Sequence, residues 1–167
     1  METKVEIIYS RKRKKTISAE LNEDRSILRV LAPYGISQKI LSPIIEKLKN
    51  KTLKKRVKDS DEYLLKRSES INKNFFSGNL KNFTIYYSGK IGKGSWGLCN
   101  LLDREIKLNK ELSEYPEWVI DYVIMHEMTH LIVSGHNKEF WDIVNRYDKT
   151  ERAIGFLIAK GMELKEN

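Results

Sequence analysis

His126-Glu127-Met128-Thr129-His130 and, six positions further on, His136 together hold every histidine of the 167-residue chain. Residues four apart on a helix project from one face a turn apart. His126 and His130 can therefore present two imidazoles to one point. Gly135 can stop that helix and turn the chain, so that His136 adds a third. Zn²⁺ accepts three neutral imidazoles and keeps a fourth position for water, which is the pattern of catalytic rather than closed structural sites. No Cys and no further His lies close in sequence to close the site. Water on such an ion has its pKa drawn down to about 7. Glu127 sits about 100° round the helix from His126, placed to take that water's proton and later return it to a leaving amine. The ion would polarise the scissile carbonyl and carry developing oxyanion charge. The pattern points to a zinc-dependent peptidase, with one Zn²⁺ per chain on His126, His130 and His136 and with Glu127 as general base.

These side chains need a helix to carry them. Pro116 suits the first turn of one, and Val119, Ile120, Val123, Ile124 and Leu131 supply an apolar face. Gly135 is expected to end it, and Asn137 to cap the next helix, which contains Phe140, Trp141, Ile143 and Val144. A last helix is expected from about Ala153 to Leu164. Upstream, Phe83–Tyr87 reads as a strand, and Trp96–Asn100 with Glu105–Leu108 as a hairpin turned near Leu102-Asp103-Arg104. Three β-type segments open the chain: Val5–Tyr9, Lys15–Leu21 and Ser26–Ala32, with Asn22–Arg25 as turn chemistry between the last two. Ser37 can cap a helix through Ile40, Leu41, Ile44, Ile45, Leu48 and Leu53, starting just before Pro43 or kinked at it. Ser60-Asp61-Glu62 opens another, through Leu64, Leu65 and Ile71, and Asn72–Asn82 reads as a loop. No internal repeat is visible. The expected class is α+β: N-terminal antiparallel strands, helices, and a small sheet beside the metal-binding helix.

The length suits a single domain spanning 1–167. A hydrophobic share of 40% with 32% charged residues argues for a folded chain with a well-solvated surface. Cys99 is alone, so no intrachain disulfide can form. The start of the chain has no apolar stretch of signal-peptide length, and the most apolar run, Trp118–Val133, is interrupted by Asp121, His126, Glu127 and His130. No membrane contact and a reducing, cytoplasmic setting are the expectations. Charge is uneven. Residues 1–75 carry 19 Lys/Arg against 10 Asp/Glu, a net of +9, while 76–167 carry 12 against 13, a net of −1. The runs Arg11–Lys15 and Lys54–Lys58 could attract nucleic acid or an acidic partner, or form a solvated face. No aromatic residues interleave with them.

Trp96-Gly97-Leu98-Cys99, Ile106-Lys107-Leu108-Asn109, the string His126–His136, and His136-Asn137-Lys138-Glu139-Phe140-Trp141 follow one another in the order and spacing of a known family. Over roughly residues 94–145, and more weakly over Arg11–Pro33, the chain resembles the YgjP-like metallopeptidases. The resemblance extends more loosely to the SprT-like proteases, which act on protein–DNA adducts. It implies a zincin-like fold, His126, His130 and His136 as metal ligands, and Glu127 as catalytic acid/base. Metzincins share the three-His spacing but carry Gly where Val133 stands, so that clan is not assigned.

Cys99 is expected to be a buried strand residue, with an inhibitory approach to the metal as the alternative. Trp96 and Trp141 are expected to anchor the core around the metal helix. Trp96–Asn100 can form the sheet edge over a cleft, where a peptide or protein substrate adds a strand and Gly97 allows close backbone approach. Tyr122, a turn before His126, is expected to pack, with an oxyanion contact as the alternative. The competing function is a basic nucleic-acid-associated protein, or a protease acting on DNA-bound proteins.

Overall fold

Apolar alternation builds the first sheet. In the strand β3 (Ile27–Pro33), Leu28, Val30 and Ala32 are all buried on one face. β2 (Ser18–Leu21) pairs antiparallel with it, Ser18 opposite Leu31 and Leu21 opposite Leu28, which is the expected hairpin. β1 (Lys4–Ser10) runs parallel to β3, from Lys4 opposite Ile27 to Ser10 opposite Pro33. The expectation of three antiparallel strands is therefore corrected for β1. The reason lies in the order β1-β3-β2: the chain leaving β1 must cross β3 to reach the far edge, and residues 11–17 make that crossing. The run Arg11–Lys15 thus lies outside the strands, and β2 starts at Ser18, later than expected. The helix α1 (Gln38–Lys58) follows and continues through Pro43. The Leu41 N–H bonds the Ser37 carbonyl at 3.0 Å, and Leu41 is fully buried.

This computed structural model describes residues 4–22, 26–92 and 94–161, with backbone alone over 53–56. For most of the second basic run only the backbone is described, and the expected end of the last helix at Leu164 lies outside the described residues. The chain forms two compact units, Met1–Arg56 and Val57–Asn167.

The second unit opens with α2 (Asp61–Phe75), where Ser60 Oγ accepts the Tyr63 N–H at 3.2 Å and Asp61 and Glu62 occupy the first turn. The loop expected from Asn72 begins only after Phe75. Asn72 is a buried helix residue whose amide donates to the Leu80 carbonyl at 2.8 Å and accepts the Leu80 N–H at 3.2 Å. Those two bonds hold the chain after the helix, which is why an Asn-rich stretch here is partly helical. β4 (Thr84–Ser88), β5 (Gly97–Asn100) and β6 (Glu105–Asn109) form a sheet in the order β4-β6-β5. β4 is parallel and β5 antiparallel to β6, the same path as in the first sheet. β5 is an edge strand, as expected, with β4 at the other edge.

After a 3₁₀ turn over Lys110–Glu114, Pro116 precedes α3 (Glu117–His130). α4 (Lys138–Val144) and α5 (Thr150–Ile158) complete the unit. α5 starts three residues before the expected Ala153. α3 is the axis of this unit, packing against α2, α4, α5, β5 and β6. Ten of its residues are buried, on every side rather than one stripe. A helix apolar all round belongs inside a core. Arg67 on α2 ties to α3 through two bonds to Asp121, Nε to Oδ1 at 2.8 Å and Nη2 to Oδ2 at 2.5 Å. Among the described residues no helix is long and apolar enough to cross a membrane. The architecture is mixed α+β and compatible with a zincin-like arrangement.

Candidate metal centre

Three local devices bring the histidines together. His126 and His130 occupy the last turns of α3, as their spacing requires. α3 stops at His130, five residues before the expected stop at Gly135, and the chain then turns through Leu131–Val133, with the Val133 N–H on the Thr129 carbonyl at 2.9 Å. Gly135 takes φ +75°, in the left-handed region, and returns the chain so that His136 faces the other two. Asn137 then caps α4 as expected, its Oδ1 accepting the Phe140 N–H at 3.0 Å. One ring nitrogen from each of His126, His130 and His136 lies within 4.8 Å of the others. His126 Nε2 and His136 Nε2 are 3.0 Å apart.

The imidazoles are kept in their ligand form. Burial pushes His126 down to about 3, with His130 and His136 adding to the effect. Burial also lowers His130 and His136. His130 Nδ1 lies 3.3 Å from the Val133 carbonyl. A carbonyl only accepts, so Nδ1 carries the proton and Nε2 is left bare for a ligand. His126 Nδ1 is buried without a partner among the described residues, so packing holds that ring. Phe140, fully buried, supplies much of it, with its ring centroid 4.8, 4.5 and 4.7 Å from those of His126, His130 and His136. Phe140 was legible as an apolar helix residue and as part of the His136–Trp141 stretch, but its place as the floor of the site was not. At 3.0 Å the His126 and His136 nitrogens can share a proton as a hydrogen bond when no ion is bound, and this donor set fits a divalent ion that favours imidazole.

Glu127 is 6% exposed, and burial pushes its carboxyl up to about 8. A cation close by would draw that value back down. Its carboxylate packs against Gly97 on β5. The bare Cα of Gly97 admits this side chain. Cys99, on the same strand, is half-buried and outside the metal-capable group. Burial, then the Glu127 charge, pushes its thiol up to about 11, which disfavours the thiolate a metal would need. Trp96 is buried, its ring 5.3 Å from that of Tyr115, as a core anchor should be. Trp141 is half-buried, 5.9 Å from the His136 ring. Tyr122 is buried and packs edge-on to His126 at 6.0 Å.

A comparison with family models meets this geometry. Residues 86–153 match the YgjP-like, metallopeptidase domain. The likeness to the YgjP-like family read from the motifs stands. The matched segment runs from β4 into α5 and contains Gly97, Glu127 and all three histidines. It supports a metal-dependent peptidase as the class of activity, with a peptide or protein as the class of substrate. Neither the curated proteins nor the solved structures contain a match to this chain.

Proposed function

We propose that the chain is a zinc-dependent peptidase in which His126, His130 and His136 hold one Zn²⁺ and Glu127 is the general base. The observation that carries this reading is the convergence of three neutral imidazoles beside a buried carboxylate, at the edge strand of a sheet. Zinc bound there supplies a Lewis acid for the scissile carbonyl and lowers the pKa of water to about 7. The chain's own residues do the rest. The three imidazoles bind through nitrogens that burial keeps free of protons. The Glu127 carboxylate takes one proton from water and passes it to the leaving amine, a role worth about 10²–10⁴ in rate. Packing between α3 and β5 keeps bulk solvent from most of that carboxylate. The free side of β5 can accept an extended peptide by strand addition, which gives affinity with little demand on sequence.

The test pairs metal content with two substitutions. Glu127→Gln should keep about one zinc per chain and lose hydrolysis, because the carboxylate is not a ligand. His130→Ala should lose both. Full activity of Glu127→Gln on an unfolded protein substrate would sink the mechanism.

One observation favours a second reading, a protease brought to nucleic acid. Met1–Arg56 carries 15 Lys/Arg against 6 Asp/Glu, a net of +9, so the whole net charge of +8 resides in that unit. There the fold sets the exposed Tyr34 ring 5.1 Å from the Arg11 guanidinium. The basic run thus meets an aromatic that is distant in sequence, the pairing a single strand uses for stacking and phosphate contact.

A further inference from the structure

A Cβ built on Gly97 would overlap the Glu127 carboxylate and lie 2.6 Å from both its Cγ and Cδ. A Cβ at Gly35, Gly78, Gly89, Gly92, Gly135, Gly155 or Gly161 would meet nothing within 4 Å. Backbone conformation does not demand glycine at 97. The glycines with positive φ are Gly35, Gly78, Gly94, Gly135 and Gly161, and Gly97 lies in a regular strand. Space alone requires it.

Neither backbone can give way. Gly97 is paired opposite Leu108 on β6, and the Asn109 N–H bonds the Trp96 carbonyl at 2.9 Å. The Ser95 hydroxyl donates to the Gly97 carbonyl at 2.8 Å, and the Asn109 amide to the Ser95 carbonyl at 3.3 Å. On the other side α3 is buried all round. The part free to move is the Glu127 side chain, and no hydrogen bond from a described residue holds its carboxylate. We infer that Gly97 is a positioning residue. Its bare Cα seats the Glu127 carboxylate, and a side chain at 97 displaces that carboxylate before it disturbs strand or helix. The catalytic consequence rests on Glu127 as general base; the packing itself does not.

The test uses the full-length, zinc-loaded protein with Gly97→Ala, Glu127→Ala and the double variant. Gly97→Ala should keep one zinc per chain, lower Tm by several degrees and reduce kcat by at least about tenfold with KM unchanged, since a general base acts in the chemical step. In the Glu127→Ala background the same substitution should leave Tm unchanged, because the shortened side chain vacates the space. Equal Tm shifts in the two backgrounds, large or nil, would overturn the proposal, as would wild-type kcat in Gly97→Ala. Wild-type kcat in Glu127→Gln, by contrast, would remove Glu127 as the base while the thermal coupling still stood or fell by itself.

Discussion

His126 shows how burial sets charge at the scale of one residue. Its imidazole is pressed among Tyr122, Phe140 and the other two histidines, and protonation is driven down to about 3. In the unfolded chain the same group takes up a proton near pH 6.5. The metal-free folded state thus binds fewer protons than the unfolded state between those values. Its stability is full above about pH 6.5 and is lost as pH falls. The loss should reach at most about 1.4 kcal/mol per pH unit for each imidazole so held. Glu127, raised to about 8, binds more protons in the folded state over the same interval and acts with the opposite sign, so urea denaturation of chelator-treated Glu127→Gln at pH 7.5 and pH 5 isolates the imidazole effect. A flat profile would contradict the buried neutral state of His126.

Two contacts decide whether the elements deliver those residues to one place. Gly135 at φ +75° re-aims the chain between α3 and α4. Gly135→Ala should cost about 1–2 kcal/mol, since Cβ meets the backbone in that region. It should also weaken zinc affinity, because His136 is the next residue; competition with a chromophoric chelator reads the change. Between α2 and α3, Arg67 meets an Asp121 side chain that is only 9% exposed. Arg67→Ala leaves that carboxylate buried without its cation, at a cost of about 3–5 kcal/mol. Chemical denaturation of the variant should show a loss of that size, and an effect under 1 kcal/mol would mark the pair as a surface ion pair in energetic terms.

At the scale of the whole chain, the buried cluster around the site draws all its members from Leu64 to Leu157, inside the unit Val57–Asn167. A fragment of residues 57–167 should therefore fold and take up about one zinc, checked by metal analysis and thermal denaturation. The charge lies elsewhere, with a net of +9 in Met1–Arg56. Retention of the intact protein on single-stranded DNA should fall steeply with salt, and the fragment should not be retained. Equal retention of both would remove the reason for a nucleic-acid reading.

The histidines were legible because helix geometry is periodic: a spacing of four fixes a shared face whatever surrounds it. The hairpins, the Ser60 and Asn137 caps and the buried run of α3 were legible for the same kind of reason, since each depends on residues a few positions apart. Three features were not. The parallel pairing of β1 with β3 depends on which strand takes the middle of the sheet, and no local pattern encodes that. Phe140 beneath the His126 and His130 imidazoles and Gly97 against Glu127 are contacts between residues 10 to 30 positions apart. Composition and spacing say which groups can do chemistry. Only packing decides what touches them, because a contact across the core depends on how several elements stack at once.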